Sequence, residues 1–341
     1  MTQTTETTTP IITTVALGPQ WPTLDPFLFC AHHNDDYPVG DGAMAPKASL
    51  DGRSIGNDFS ELEGWSMYHG SSVPGFPQHP HRGFETVTYC RHGYIDHSDS
   101  LGATARFGRG DVQWMTAGGG VVHCEMFPLV NTDSRNLTEL FQVWLNLPAE
   151  DKMVDAYFTM LWGENIPKLD LDGGGQITVI AGDLAALEPA APPPNSWAAR
   201  PEAHIGMWHI VLPPHSSWTI PATAATSGRM LYLFEGNGLS VGGSTFDKDT
   251  GIQLEPAQTI EIASGDEATE CLLLQGTPIG EPVVQYGPFV MNTREEIQQA
   301  FDDYQRTGFG GWPWGQPDPV HPATEARFAV HADGRREQAP T

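Results

Sequence analysis

The sequence predicts an all-β protein made of two successive domains, and three observations support this fold class. Gly and Pro supply 37 and 29 of the 341 residues while only 17% of residues are charged, a composition typical of a chain rich in turns. Short runs that fit β-strands recur along both halves of the chain. Turn residues separate most of these runs, and such spacing indicates an antiparallel sandwich or barrel in each half.

The first domain is predicted over residues 19–148. It follows a lead over residues 1–18 that we expect to be disordered, because this segment is rich in Thr and poor in apolar residues. The strand-like runs of the domain combine β-branched and aromatic residues, and most are separated by turns that contain Gly. These runs are 84–89, 94–97, 111–115, 121–126 and 140–147.

The second domain is predicted over residues 149–310, and its first part contains a Gly-rich segment at 173–175 and a Pro-rich segment at 187–195. Both segments interrupt the strand pattern, and the Pro-rich one has the composition of an exposed loop. The strand rhythm resumes after them, which indicates a second β domain of similar size. Its strand-like runs are 204–212, 218–220, 229–235, 259–262 and 270–275.

One short helix is predicted near residues 293–305, at the end of the second domain. Thr293 and Glu296 have the spacing of a capping box, in which each side chain caps a backbone N–H near the helix start. Apolar residues then recur at the helical period. The remaining residues, 311–341, are polar and rich in Pro, and we expect an extended tail.

Charge and cysteine usage exclude several classes of function. The formal net charge of −25 would repel nucleic acids and anionic lipids, so we expect no direct binding to either. The four cysteines lie far apart in the chain, which favours a reducing compartment over a disulfide framework. The sequence contains neither a secretory signal pattern nor an apolar run of membrane-spanning length, so we expect a cytoplasmic protein.

Two short motifs predict a mononuclear metal site. His79 and His81 form one pair, and His123 and Glu125 form a second pair about forty residues later. In a β-strand residues i and i+2 point to the same face, so both members of each pair can reach one ion. Imidazole with carboxylate favours a first-row divalent metal such as iron, manganese, nickel, copper or zinc, and iron is our choice.

Glu85 leaves the ligand count open. It shares strand parity with His79 and His81, so it lies on the same predicted face. It is either a competitor to Glu125 as the carboxylate ligand or an acceptor that orients a ligand imidazole.

Longer motifs carry a resemblance to a known family. Segments 79–89, 110–118 and 123–126 resemble the signature of the pirin family, and segment 287–293 resembles its carboxy-terminal hallmark. Pirins are bicupins of the cupin superfamily, so the resemblance implies two tandem jelly-roll β-barrels. It also implies one iron ion (Fe²⁺/Fe³⁺), held in the first barrel by four ligands, and no metal in the second. The four positions that match are His79, His81, His123 and Glu125.

The resemblance implies two functions of different classes. The first is a quercetin 2,3-dioxygenase-like enzyme that cleaves a small planar aromatic substrate such as a flavonol, with Glu125 or Glu85 accepting the hydroxyl proton. The second is a redox-responsive regulatory protein that binds a transcription factor or a metabolic enzyme. We expect an enzyme.

Overall fold

The computed structural model describes residues 9–340, and strands dominate it. A single α-helix, α1, covers Arg294–Thr307 within these residues. In chain order the strands are β1 Ile11–Ala16, β2 Gln20–Trp21, β3 Phe27–Tyr37, β4 Gly75–His81, β5 Phe84–His92, β6 Tyr94–Asp99, β7 Thr104–Gly108, β8 Asp111–Thr116, β9 Val121–Met126, β10 Asn136–Asn146, β11 Tyr157–Leu161, β12 Lys168–Asp170, β13 Gln176–Ala181, β14 Gly206–Leu212, β15 Ser217–Ile220, β16 Gly228–Glu235, β17 Leu239–Val241, β18 Ser244–Phe246, β19 Thr250–Leu254, β20 Ile260–Ala263, β21 Thr269–Gly276, β22 Val284–Tyr286, β23 Phe289–Met291, β24 Phe328–Val330 and β25 Arg336–Gln338.

The chain divides into two compact β units. Among the described residues, the histidine unit comprises residues 30–165, 193–196 and 280–340, and the companion unit comprises residues 9–29, 166–192 and 197–279. The predicted all-β fold with one short C-terminal helix is confirmed. No helix among the described residues is long and apolar enough to cross a membrane.

The histidine unit encloses its core between two antiparallel sheets. One sheet has the order β11-β8-β5-β10-β3 within this unit, and the other has the order β25-β24-β7-β6-β9-β4. The buried core between them draws residues from both sheets, among them Phe107, Met115 and Phe158. Each fully buried aromatic or Met side chain contributes about 1.5–3 kcal/mol of hydrophobic stabilisation. This core gives the unit a source of stability that needs no bound group.

Strand β9 is buried on both faces, and this explains where the C-terminal segment lies. Val121 packs in the core between the sheets, whereas Val122 packs with residues of β23 and α1 on the opposite face. Cys124 and Met126, also on that opposite face, pack against Trp312. A strand that is apolar on both faces needs a cover on each side.

The boundaries predicted for the second domain therefore differ from the structure. Helix α1 and residues 311–340 belong to the histidine unit rather than to the second barrel or to a free tail.

The predicted capping box is confirmed, because the Glu296 N–H donates to Thr293 Oγ1 at 3.2 Å and the Thr293 N–H donates to Glu296 Oε2 at 2.9 Å. The helix ends at Thr307 and is capped by Gly308, whose φ of 56° is left-handed.

The C-terminal residues continue the sheet of the histidine unit. Strand β24 pairs with β7, and β25 pairs with β24. The Arg106 guanidinium donates to both carboxylate oxygens of Asp96 at 2.7 Å and to the backbone oxygens of His321 and Pro322. This buried ion pair fixes a segment for which composition alone predicts an extended tail.

The companion unit contains a seven-stranded sheet of order β1-β19-β16-β21-β14-β13-β12 and a four-stranded sheet of order β15-β20-β17-β18. Strand β1 pairs antiparallel with β19, so residues 11–16 are ordered where the sequence predicts a disordered lead. Residues 1–8 of that lead lie outside the described residues.

His209 of the companion unit is buried, and its Nε2 lies 2.8 Å from a Glu270 carboxylate oxygen. Its position is that of a core histidine with a hydrogen-bond partner.

Candidate metal centre

Strands β4 and β9 bring the two histidine motifs together. They pair antiparallel, and His79 lies directly opposite His123. A register shift between Phe76 and His79 adds one residue to β4, and this bulge sets His79 on the same face as His123. The nearest ligand atoms of His79, His81 and His123 all lie within 4.8 Å of one another, a spacing that one metal ion can bridge.

Backbone carbonyls orient two of the three rings. His79 Nδ1 lies 2.9 Å from Pro77 O, and His81 Nδ1 lies 3.4 Å from Pro288 O. A carbonyl oxygen only accepts, so Nδ1 carries the proton in each ring and Nε2 keeps its lone pair. Both rings are therefore prepared to bind a metal through Nε2.

His123 carries the clearest sign that a ligand belongs here. Its side chain is fully buried, and neither ring nitrogen has a hydrogen-bond partner among the described residues. Leaving a buried polar group without a partner costs about 1–3 kcal/mol. A bound metal ion satisfies a ring nitrogen, so the residues fit the metal that the sequence predicts.

Burial holds the three imidazoles in the form that metals bind. It lowers the pKa of His79 to about 4 and lowers the pKa values of His81 and His123 well below the ordinary range. The rings are therefore neutral at pH 7, and a neutral imidazole has the free lone pair that a metal requires.

Glu125 lies beside this group but is not part of its closest cluster. Among the described residues, the set of ligand atoms within 4.8 Å contains the three histidines without Glu125. The buried Glu125 carboxylate instead accepts a hydrogen bond from Gln142 Nε2 at 2.6 Å and one from Thr88 Oγ1 at 3.2 Å. Burial raises its pKa. Its role as the fourth ligand stays a prediction.

Replacing Gln142 by Leu tests whether Glu125 is a ligand. The Gln142 amide orients the carboxylate, and loss of such a partner weakens metal binding by about 10–100-fold. Competition with a calibrated chelator measures this. Gln298→Leu, on the exposed surface of α1, is the matched control and should retain wild-type affinity. Unchanged affinity in Gln142→Leu would argue against Glu125 as a ligand.

Glu85 is engaged elsewhere. It lies opposite Thr116 in the pairing of β5 with β8, and it accepts hydrogen bonds from Thr116 Oγ1 at 2.6 Å and Ser196 Oγ at 2.5 Å. Burial raises its pKa to about 7. Glu85 also lies outside the histidine cluster, so the structure does not bring it together with the predicted ligands.

His97 is a neighbour of the site that lies outside both histidine motifs. On β6 it lies opposite Glu125, and its ring centroid is 5.5 Å from that of His123. Its Nε2 lies 3.2 Å from Asp99 Oδ2, while the buried Nδ1 has no hydrogen-bond partner among the described residues. Strand alternation within 94–97 is the sequence signal that indicates an inward side chain here.

An all-β chain with two β units and a buried three-histidine cluster on paired strands is a bicupin with a candidate metal centre in its histidine unit. Comparison with family models agrees. The pirin family model matches residues 14–145, and the model of the pirin C-terminal cupin domain matches residues 207–310. The chain belongs to the pirin family, and the family resemblance predicted from the motifs is confirmed.

Individual relatives cover most of the chain. A pirin-like protein of Solanum lycopersicum is 37% identical over 279 residues, which are 79% of this chain and 89% of the relative. A Pseudomonas aeruginosa protein, named provisionally as a quercetin 2,3-dioxygenase, is 39% identical over 237 residues, 68% of this chain and 79% of the relative. The solved quercetin 2,3-dioxygenase of Acinetobacter baumannii aligns with a TM-score of 0.70 and 26% identity over 88% of this chain and 98% of its own.

Proposed function

We propose that this pirin-family protein is an iron-dependent dioxygenase of the quercetin 2,3-dioxygenase type. The observation that carries the proposal is the cluster of three buried histidines, with both ring nitrogens of His123 left without a partner. The provisional name of the Pseudomonas aeruginosa relative and the Acinetobacter baumannii structure support the choice of reaction.

The proposed metal ligands are His79, His81, His123 and Glu125. Nitrogen and carboxylate donors without a thiolate suit iron, with manganese, nickel, copper and zinc as alternatives. Cys124, between two proposed ligands, packs on the opposite face of β9 and so leaves the donor set free of sulfur. When bound, the iron supplies Lewis-acid and redox chemistry toward the substrate and dioxygen.

We assign the acceptor of the substrate's hydroxyl proton to Glu125 rather than Glu85. Glu125 follows His123 by two residues on the same strand and faces the same side of the sheet. Its Oε1 accepts only the longer hydrogen bond, from Thr88, and is the oxygen available to take a proton. Both oxygens of Glu85 accept short hydrogen bonds from hydroxyl groups.

Aromatic side chains beside the histidines support a planar aromatic substrate. The Trp144 ring meets His81 edge to face at 5.2 Å and stacks on Phe84 at 4.0 Å. On another side Phe76 lies 6.4 Å from His79. These rings give the surroundings of the histidines an aromatic, apolar character that suits a flavonol-like molecule.

Aerobic incubation of iron-loaded protein with quercetin tests the proposal. We expect loss of flavonol absorbance together with carbon monoxide release, at rates well above those of free iron and of iron-treated His81→Ala. A rate no higher than that of free iron would overturn the proposed activity. Parallel reactions with manganese, nickel, copper and zinc identify the metal that supports turnover.

A further inference from the structure

A cleft in the histidine unit concentrates positive charge in a strongly acidic protein. It lies where the β5–β6 turn, the β7–β8 turn and the segment before β10 meet, and its volume is about 400 Å³. Arg91, Arg109, Arg135 and His92 line it, and none of its described lining residues carries a carboxylate. The cleft thus brings together three of the 17 Lys and Arg residues of the chain, which stand against 42 Asp and Glu.

The three arginines differ in how their charges are compensated. Arg91 Nη1 lies 2.8 Å from a Glu139 carboxylate oxygen, and Arg135 pairs with Asp36 at the surface. Arg109 has no described hydrogen bond or ion pair from its side chain, and its guanidinium carbon lies 4.9 Å from the centroid of the Tyr94 ring. The Arg109 charge is therefore free to meet an anion.

Two residues in the turns that line the cleft have a positive φ. Arg109 has a left-handed φ of 56°, a conformation that costs a long side chain about 1–3 kcal/mol and is often associated with function. Gly93 has a φ of 76°, and a Cβ there would lie 2.6 Å from Thr138 Oγ1. The β5–β6 turn therefore packs directly against β10, and this contact holds the cleft wall in place.

We propose that this cleft binds a small organic anion that carries phosphate or carboxylate groups. Guanidinium groups match both oxyanions, because their planar N–H forks donate two parallel hydrogen bonds. The exposed Leu137 side chain and Tyr94 supply an apolar surface for the body of such a ligand. At physiological salt the Debye length is about 8 Å. The electrostatic potential in the cleft therefore depends more on the nearby charges, among them the three arginines, than on the net charge of −25.

The site is distinct from the metal centre, since the cleft shares no lining residue with the three histidines. The proposal does not depend on dioxygenase activity. It predicts that His81→Ala, which removes a proposed metal ligand, binds the anion as the wild-type protein does.

Calorimetric titration of the metal-loaded protein with inorganic phosphate and with succinate tests the proposal at about 0.15 M salt. We expect at least one of the two anions to bind with a stoichiometry of one per chain. Arg109→Gln should weaken that binding by about 10–100-fold, the value of one or two charge-assisted hydrogen bonds. Preference for phosphate indicates a phosphorylated ligand, and preference for succinate indicates a polycarboxylate.

Arg306→Gln is the matched control, because it removes one exposed arginine charge on α1, away from the cleft. The affinity of Arg306→Gln for the anion should equal that of the wild-type protein. Arg135→Gln serves as a second cleft variant if Arg109→Gln does not fold. Absence of binding by both anions, wild-type affinity in the cleft variant, or an equal loss in Arg306→Gln would each overturn the proposal.

Discussion

Replacement of His81 by Ala is expected to remove the metal from the purified protein while leaving its β fold intact. His81 is one of three histidines whose ligand atoms lie within 4.8 Å of one another, and no other described residue joins that cluster. Loss of a directly bound ligand should exceed the 10–100-fold loss of affinity that follows removal of an orienting partner. Metal content per chain should therefore fall close to zero.

The fold should survive because the ion is not its main source of stability. The buried core of the histidine unit includes large side chains such as Phe107 and Trp65, whose packing needs no metal. The substitution also removes no buried charge, since burial lowers the pKa of His81 well below its ordinary range and keeps the ring neutral. Far-ultraviolet circular dichroism should match that of the wild-type protein.

Elemental analysis and thermal unfolding of the same preparation measure both parts of this prediction. His215→Ala, an exposed histidine in the companion unit, is the matched control and should retain full metal content. Wild-type metal content in His81→Ala would remove His81 from the ligand set. An unfolded His81→Ala protein would instead mean that the ion, not the core, stabilises the unit.

The histidine cluster was accessible from the sequence because it follows from local geometry. The i, i+2 spacing alone places His79 with His81 and His123 with Glu125, and a pairing of the two strands completes the cluster. The position of the Glu125 carboxylate depends on Thr88 and Gln142, which lie on strands of the opposite sheet. No spacing rule predicts such partners.

The placement of the chain ends also required the structure. Residues 11–16 and 328–330 are short segments of residue types common in strands, but their composition does not indicate that they pair with β19 and β7. One signal was present in the sequence. The alternate residues Val122, Cys124 and Met126 are apolar, and this pattern indicates that some other segment covers the outer face of β9.

The second large effect is expected from Arg106→Met, which should release the C-terminal segment. Arg106 is 1% exposed and Asp96 is fully buried, and the two form a bidentate pair. Removing one partner of a buried pair costs about 3–5 kcal/mol, because the other charge is left without compensation. The variant also loses the hydrogen bonds from the guanidinium to His321 and Pro322.

Hydrogen exchange at the backbone amides of β24 measures the loss directly, since this strand pairs with β7, where Arg106 lies. A change of 3–5 kcal/mol corresponds to an increase in exchange of more than about 100-fold when opening is local. Arg336→Met is the matched control on β25, because its exposed pair with Glu325 should contribute less than about 1 kcal/mol. Wild-type protection of β24 in Arg106→Met would show that strand pairing alone holds the segment. The double variant Arg106→Met, Asp96→Asn separates the two causes. Any protection of the β24 amides that it recovers measures the cost of the uncompensated Asp96 charge. The remaining loss of protection belongs to the lost hydrogen bonds.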